Sequence, residues 1–231
     1  MSAPVPASAA TPTDPVTIFE QLATGELQAK PSFFKICKNQ TYALCATAKC
    51  TMYNEVAYCR CDIKKGDSIS LPLRLNPTTD VCDVNAQGVD NGYMVSTFSL
   101  PRQVKKPYGQ MALYTCPASS TGAYAQCDGG ICFKSTRGQT FPGFPKPLDG
   151  DQIICSCPAT VPDPSTAKVG FQIAGPYPCK QSFFANCQKA ASSTSTGSRI
   201  FVGAPTGVAE LLALRLNGKP TPINRCQPNA P

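Results

Sequence analysis

Fourteen cysteines in 231 residues constrain this chain more than any other feature, because they recur in one spelling. Tyr42-Ala43-Leu44-Cys45 is followed by four residues, Cys50, and then Cys59-Arg60-Cys61. Tyr124-Ala125-Gln126-Cys127 is likewise followed by four residues, Cys132, and then Cys155-Ser156-Cys157. Chance does not readily write such a frame twice, so the chain reads as a duplicated module. Cys37, Cys45, Cys50, Cys59, Cys61 and Cys82 form the first set, and Cys116, Cys127, Cys132, Cys155, Cys157 and Cys179 the second. The gaps between successive cysteines are 7, 4, 8, 1 and 20 residues in one copy and 10, 4, 22, 1 and 21 in the other. Cys187 and Cys226 have no counterpart and are expected to pair with each other.

Two uses of these cysteines compete. Three bridges per module plus Cys187–Cys226 would employ all fourteen, each bridge stabilising by about 2–4 kcal/mol. Alternatively, C-x4-C with C-x-C could offer four thiolates to zinc once per module. That spacing departs from the usual C-x2-C knuckle and strands six thiols, so disulfides are preferred and neither metal nor cofactor is expected. Which cysteines bridge does not follow from spacing, since six cysteines allow 15 pairings. Cys59 and Cys61 are expected on opposite faces of a strand, bridging in different directions. So many bridges point to an oxidising compartment, extracellular or periplasmic. Met1 to Ala7 then reads as the Pro/Ala linker that follows a removed signal peptide.

Composition agrees with a β-rich architecture. Charged residues are only 15% and prolines number 23, which disfavours long helices. The expected fold is mainly β: two related disulfide-braced β modules of small sandwich or barrel type, with short flanking helices. Residues 1–13 are read as a disordered Pro/Ala-rich linker and 14–31 as an N-terminal helix capped by Asp14. The first six-cysteine module spans 32–110 and the second 111–190. A C-terminal strand and helix, 191–231, dock on the second. Strands are expected after each C-x-C, at 68–75 and 169–173, and again at Tyr93–Leu100 and Arg199–Val202. Asp90-Asn91-Gly92 marks a turn.

The chain lacks histidine, which removes Ser-His-Asp and Cys-His catalysis and every imidazole metal site. Lys and Arg exceed Asp and Glu, 21 to 14, for a formal charge of +7. Such a surface attracts polyanions. The cations are dispersed and tryptophan is absent, so nucleic acid is not the expected partner. No apolar run is long enough to cross a membrane as a helix.

One segment stands out as a contact surface. Between Cys132 and Cys155 the second module carries 14 more residues than the first. Long loops held at both ends are favoured places for binding. Here Phe141 and Phe144 offer apolar faces and Lys134, Arg137 and Lys146 offer charge. Asp149 and Asp151 flank a glycine and could hold a cation, act as a carboxylate pair, or simply form a solvated turn. The phenylalanines could equally anchor the loop in the core. Asp83 to Gly88 resembles half an EF-hand loop but has Met94 where the bidentate glutamate belongs, which rejects it. Ser32-Phe33-Phe34-Lys35 and Ser165-Thr166-Ala167-Lys168 fit S-x-x-K without its companion motifs.

The functional expectation is therefore a secreted or periplasmic, disulfide-rich, non-catalytic binding or structural protein. It would contact an anionic polymer, a cell-surface component or another protein through the 133–151 loop. Two alternatives are a histidine-free, glycosidase-like hydrolase using Asp149 or Asp151 and an intracellular zinc-binding adaptor with four cysteine ligands.

Overall fold

A computed structural model describes residues 34–70, 79–100, 112–116, 123–135, 138–160, 171–175, 194–205 and 224–226. The expected helix at 14–31, the expected C-terminal helix after the 199–202 strand and the strand residues 71–75 lie outside them. In chain order the elements are β1 (Lys35–Tyr53), β2 (Val56–Ser70), α1 (Val81–Asp90), β3 (Tyr93–Val95), β4 (Phe98–Ser99) and β5 (Ala112–Cys116). There follow β6 (Tyr124–Ala125), β7 (Ile131–Phe133), β8 (Gln152–Thr160), β9 (Phe171–Gly175), β10 (Arg199–Val202), β11 (Ala204–Pro205) and β12 (Asn224–Cys226). The protein is mainly β and carries several disulfides, as its composition implied.

β1 and β2 form a long hairpin closed by Asn54 and Glu55, with φ of 46° and 66°. Two successive left-handed residues match the right-handed twist of the flanking strands, and asparagine tolerates that conformation well. β2 also pairs antiparallel with β8, β8 with β6, β6 runs parallel to β10, and β10 returns antiparallel to β1. These five strands complete a closed circuit of pairings. β4 adds to β2, and β7 and β3 extend from β8. β5, β9, β11 and β12 make a separate sheet.

Pairing crosses freely between the two halves of the sequence. The C-x-C strands lie side by side, with Cys59 opposite Cys155, Ala57 opposite Cys157 and Cys61 opposite Ile153. Cys50, Cys59, Cys155 and Cys132 consequently form one row across β1, β2, β8 and β7.

Cys45–Cys61 and Cys50–Cys59 are bridged, and so are Cys127–Cys157 and Cys132–Cys155. A fifth bridge, Cys37–Cys82, ties β1 to α1. No described cysteine is free. The side chains of Cys116, Cys179, Cys187 and Cys226, and with them the expected Cys187–Cys226 pair, lie outside the described ones.

The expectation that Cys59 and Cys61 face opposite ways is corrected: Ala57, Cys59 and Cys61 are all buried, while Arg60 and Asp62 are exposed. A strand repeats every two residues, so positions i and i+2 share a face. The C-x4-C half needs more explanation, because positions five apart on a regular strand would face oppositely. Between Leu44 and Lys49 the β1–β2 register slips, from Leu44↔Asp62 to Lys49↔Arg60. That bulge absorbs three extra residues of β1 and sets both Cys45 and Cys50 on the face of the C-x-C pair.

The core is consequently made of sulfur and small side chains. Eight half-cystines pack with Ala43, Ala48, Ala57, Ala123, Ala125, Met52, Met94, Ile153, Ile200 and Val202. Neighbouring bridges touch: Cys45 Sγ lies 3.2 Å from Cys155 Sγ, and Cys127 Sγ 3.6 Å from Cys59 Sγ. Polarizable sulfur fills the interior, and alanine leaves room for it.

α1 was not expected, since Asp83 to Gly88 resembles only half an EF-hand loop. Asp80 caps it, its carboxylate accepting from Cys82 N–H at 2.8 Å. Buried Asn85 docks it by donating to Gln40 Oε1 and Thr41 O and accepting from Val95 N–H. Gly88 is needed there because any Cβ would strike the Tyr93 ring.

Candidate functional site, a cationic groove under the long loop

Alternation decides what the outer face of β1 and β2 carries. With Cys50, Met52, Cys59 and Cys61 turned inward, Lys49, Thr51, Tyr58 and Arg60 must face out. Lys49 stands directly opposite Arg60, and Thr51 opposite Tyr58. On the other edge of β1, Arg199 of β10 stands opposite Thr51.

The long loop folds down onto this face. Phe144 N–H donates to Phe141 O at 2.9 Å, making a tight turn with Gly143 at φ 77°. Gly143 presses so closely on Thr51 that a Cβ would clash with the threonine side chain. Glycine is required twice over, for the left-handed backbone and for the close approach. Phe144 is half-buried, with the Arg60 guanidinium 5.7 Å from its ring centroid. A cation over an aromatic face is attracted by the ring quadrupole, which helps hold the loop in place.

Under the loop lies a concavity of about 280 Å³. Its walls are Lys49, Thr51, Arg60, Phe144, Lys146 and Arg199, with Cys50, Gly143 and Pro145 completing it. Among the described residues, four cations and no carboxylate line this space. Among the described residues the ion pairs are Lys35–Asp80, Lys38–Asp67 and Lys64–Asp62, so none of the four is neutralised by one. A second concavity of about 460 Å³ adjoins it across the Gly143–Thr51 contact, with Tyr53, Pro142, Thr196 and Gly197 on its walls.

The residues singled out from the sequence are distributed unevenly. Phe144 and Lys146 join the groove, and half-buried Phe141 supports the turn. Lys134 is exposed just past β7, its N–H donating to Gly92 O at 2.9 Å. Arg137 lies outside the described residues. Asp149 and Asp151 are exposed, and their backbone oxygens accept from Gln152 and Ile63 N–H in the turn leading into β8. Neither lines either concavity. Lys49, Arg60 and Arg199 were missed. For the first two, adjoining a buried cysteine in a strand implies that they face outward, but not that the loop covers them. Arg199 reaches the groove only through the β10–β1 pairing.

The cysteines proposed as zinc ligands are bonded to one another. Cys45, Cys61 and Cys155 gather their sulfurs within 4.8 Å, as do Cys59, Cys127 and Cys157. Each trio contains a disulfide, and a bonded sulfur is not the thiolate that metals require.

Comparison of the chain with protein-family models, curated proteins and solved structures finds no match.

Proposed function

We propose that the protein is a secreted or periplasmic, non-catalytic binding protein that contacts an anionic cell-surface or extracellular polymer in the groove beneath the 141–149 loop. Five disulfides suit an oxidising environment, and among the described residues no helix is long and apolar enough to cross a membrane. The observation that carries the binding reading is the convergence of Lys49, Arg60, Lys146 and Arg199 around Phe144, with no carboxylate among the described lining residues. Like charges gathered in one concavity focus field outward and favour an anionic occupant. Exposed charges contribute about 0.5 kcal/mol each to a contact, so four together give about 2 kcal/mol, roughly thirtyfold in affinity.

Retention on immobilised polyanions, compared with a neutral polysaccharide of equal length, tests this. Replacing all four cations by glutamine should cost at least about tenfold in affinity and flatten the salt dependence. Unchanged affinity in that variant would refute the site.

We further propose that the halves are two copies of one unit, interleaved about a pseudo-twofold axis between Cys59 and Cys155. The nested order of bridges is the same in both, 45–61 around 50–59 and 127–157 around 132–155. Register agrees as well. Met94 pairs with Cys132 as Ile200 pairs with Cys50, and Tyr93 with Phe133 as Arg199 with Thr51. Thr97 N–H donates to Ala43 O at 3.0 Å, and Gly203 N–H to Ala125 O at 3.1 Å. On this reading the cationic groove occurs once because the long loop belongs to one copy and the matching outer positions of the other, Tyr93, Ile131 and Phe133, carry no charge.

A further inference from the structure

We infer that the groove's ligand is an acidic oligosaccharide, whose uronate or sulfate group enters the cationic concavity while a neighbouring sugar ring lies on Tyr53. This rests on the anion-binding reading above and adds the ligand class. The two concavities meet at Thr51, Gly143 and Arg199, which line both, so one ligand can run through the pair. Their chemistry differs sharply. Among the described residues, one holds four cations; the other holds a single cation, the shared Arg199, together with Tyr53, Thr51 and Thr196.

Tyr53 is 43% exposed, one of two large hydrophobic side chains left that open among the described residues. It is also held in place. Tyr58 meets it edge-on, with centroids 6.4 Å apart and planes at 68°. The adjoining turn is fixed by Asn54 N–H donating to Thr196 Oγ1 at 3.2 Å, and Met52 N–H to Ser198 O at 2.9 Å. A rigid, exposed aromatic face loses little entropy on contact. Its negative quadrupole attracts the weakly positive C–H face of a pyranose, while the threonine hydroxyls beside it suit ring hydroxyls. Arginine in the adjoining concavity favours planar carboxylate or sulfate groups through paired N–H donors.

A nucleic-acid strand fits less well. It presents one phosphate per nucleotide and calls for a basic track running well beyond a single pocket. Here the cations of the groove are concentrated in one concavity, and the next one is nearly neutral.

The test is calorimetric titration of the oxidised protein and three variants with four ligands. The ligands are a uronate oligosaccharide, a sulfated oligosaccharide, a neutral oligosaccharide of equal length and inorganic polyphosphate. The variants are Tyr53→Ala, Tyr53→Phe and the fourfold glutamine replacement. We expect Tyr53→Ala to lose at least tenfold in affinity for one or both acidic oligosaccharides and less than twofold for polyphosphate, with Tyr53→Phe close to wild type. The uronate and sulfate arms identify which anion the groove takes. If Tyr53→Ala binds acidic oligosaccharides as wild type does, or Tyr53→Phe loses as much as Tyr53→Ala, the sugar assignment is overturned and the cationic groove stands. Tighter wild-type binding of polyphosphate than of either acidic sugar overturns it too. Should the fourfold variant keep its affinity for every anion, the underlying reading falls as well.

Discussion

Replacing Cys50 and Cys59 together by alanine tests whether these bridges act as a packed core as well as crosslinks. The two are nine residues apart in sequence, and chain entropy alone assigns such a bridge about 2.6 kcal/mol. Both sulfurs are fully buried, at 1% and 0% exposure, in the main core cluster. Cys59 Sγ also lies 3.6 Å from Cys127 Sγ of the next bridge. Deleting two buried atoms, each comparable to a methylene, adds about 2 kcal/mol for lost packing. The expected cost is therefore about 4.6 kcal/mol, which in a domain of this size lowers the melting temperature by about 9–18 °C. Scanning calorimetry of both proteins under non-reducing conditions, with chemical denaturation as a second measure, gives the number. A loss at or below 2.6 kcal/mol, with the other bridges intact by mass, would refute the claim that sulfur is the filling of this core.

Three further outcomes follow from particular contacts. Asn85→Leu removes the bonds to Gln40, Thr41 and Val95 from a buried site, so it should destabilise by about 3 kcal/mol in urea titration. A change under 1 kcal/mol would mean that water replaces all three. Burial raises the pKa of Tyr42 above its ordinary 10.0, and the hydrogen bond to Ser99 offsets part of that. The folded state thus holds the phenol proton more tightly, so stability is fully present below pH 10.0 and falls as pH rises through the folded pKa. Tyr42→Phe should remove that alkaline decline while costing about 1 kcal/mol at neutral pH for the lost bond to Ser99, and a pH series of melting curves checks both. Finally, Met94 and Ile200 occupy matching positions, with Cys82 twelve residues before one and Cys187 thirteen before the other. If the halves are the two copies proposed above, Cys116 is expected to join Cys187 and Cys179 to join Cys226, in place of the Cys187–Cys226 pair read from the sequence. Non-reducing peptide mapping decides it, and a peptide joining Cys187 to Cys226 would count against the duplication.

Legibility varied with how local the signal was. The turn at Asp90-Asn91-Gly92 and the strand starting at Arg199 were readable because turn chemistry and alternation are properties of neighbours. The region Tyr93–Leu100 was also read as extended, though it divides into two short strands at Ser96-Thr97. α1 escaped because its buried positions are Val81, Asn85 and Gly88, and only one of these is apolar. Periodicity sees greasy side chains, and this helix is docked instead by an amide and a disulfide. In the groove, Phe144 and Lys146 were visible as part of an unusual loop. Their companions Lys49, Arg60 and Arg199 come from three strands, and nothing local says which strand the loop will cover.

The sequence alone determined that twelve of the fourteen cysteines are spelled in two similar sets, that the chain would be mainly β, and that histidine chemistry is impossible. Those follow from counts, spacing and side-chain inventory, which need no partner. Only the tertiary structure decided which sulfurs join, because the bulge between Leu44 and Lys49 sets the facing of Cys45 and Cys50 through pairing with β2. It also brought the C-x-C strands of the two halves side by side and laid the 141–149 loop across β1. Each of these depends on contacts between residues far apart in the chain, where register and packing choose among arrangements that spacing leaves equal.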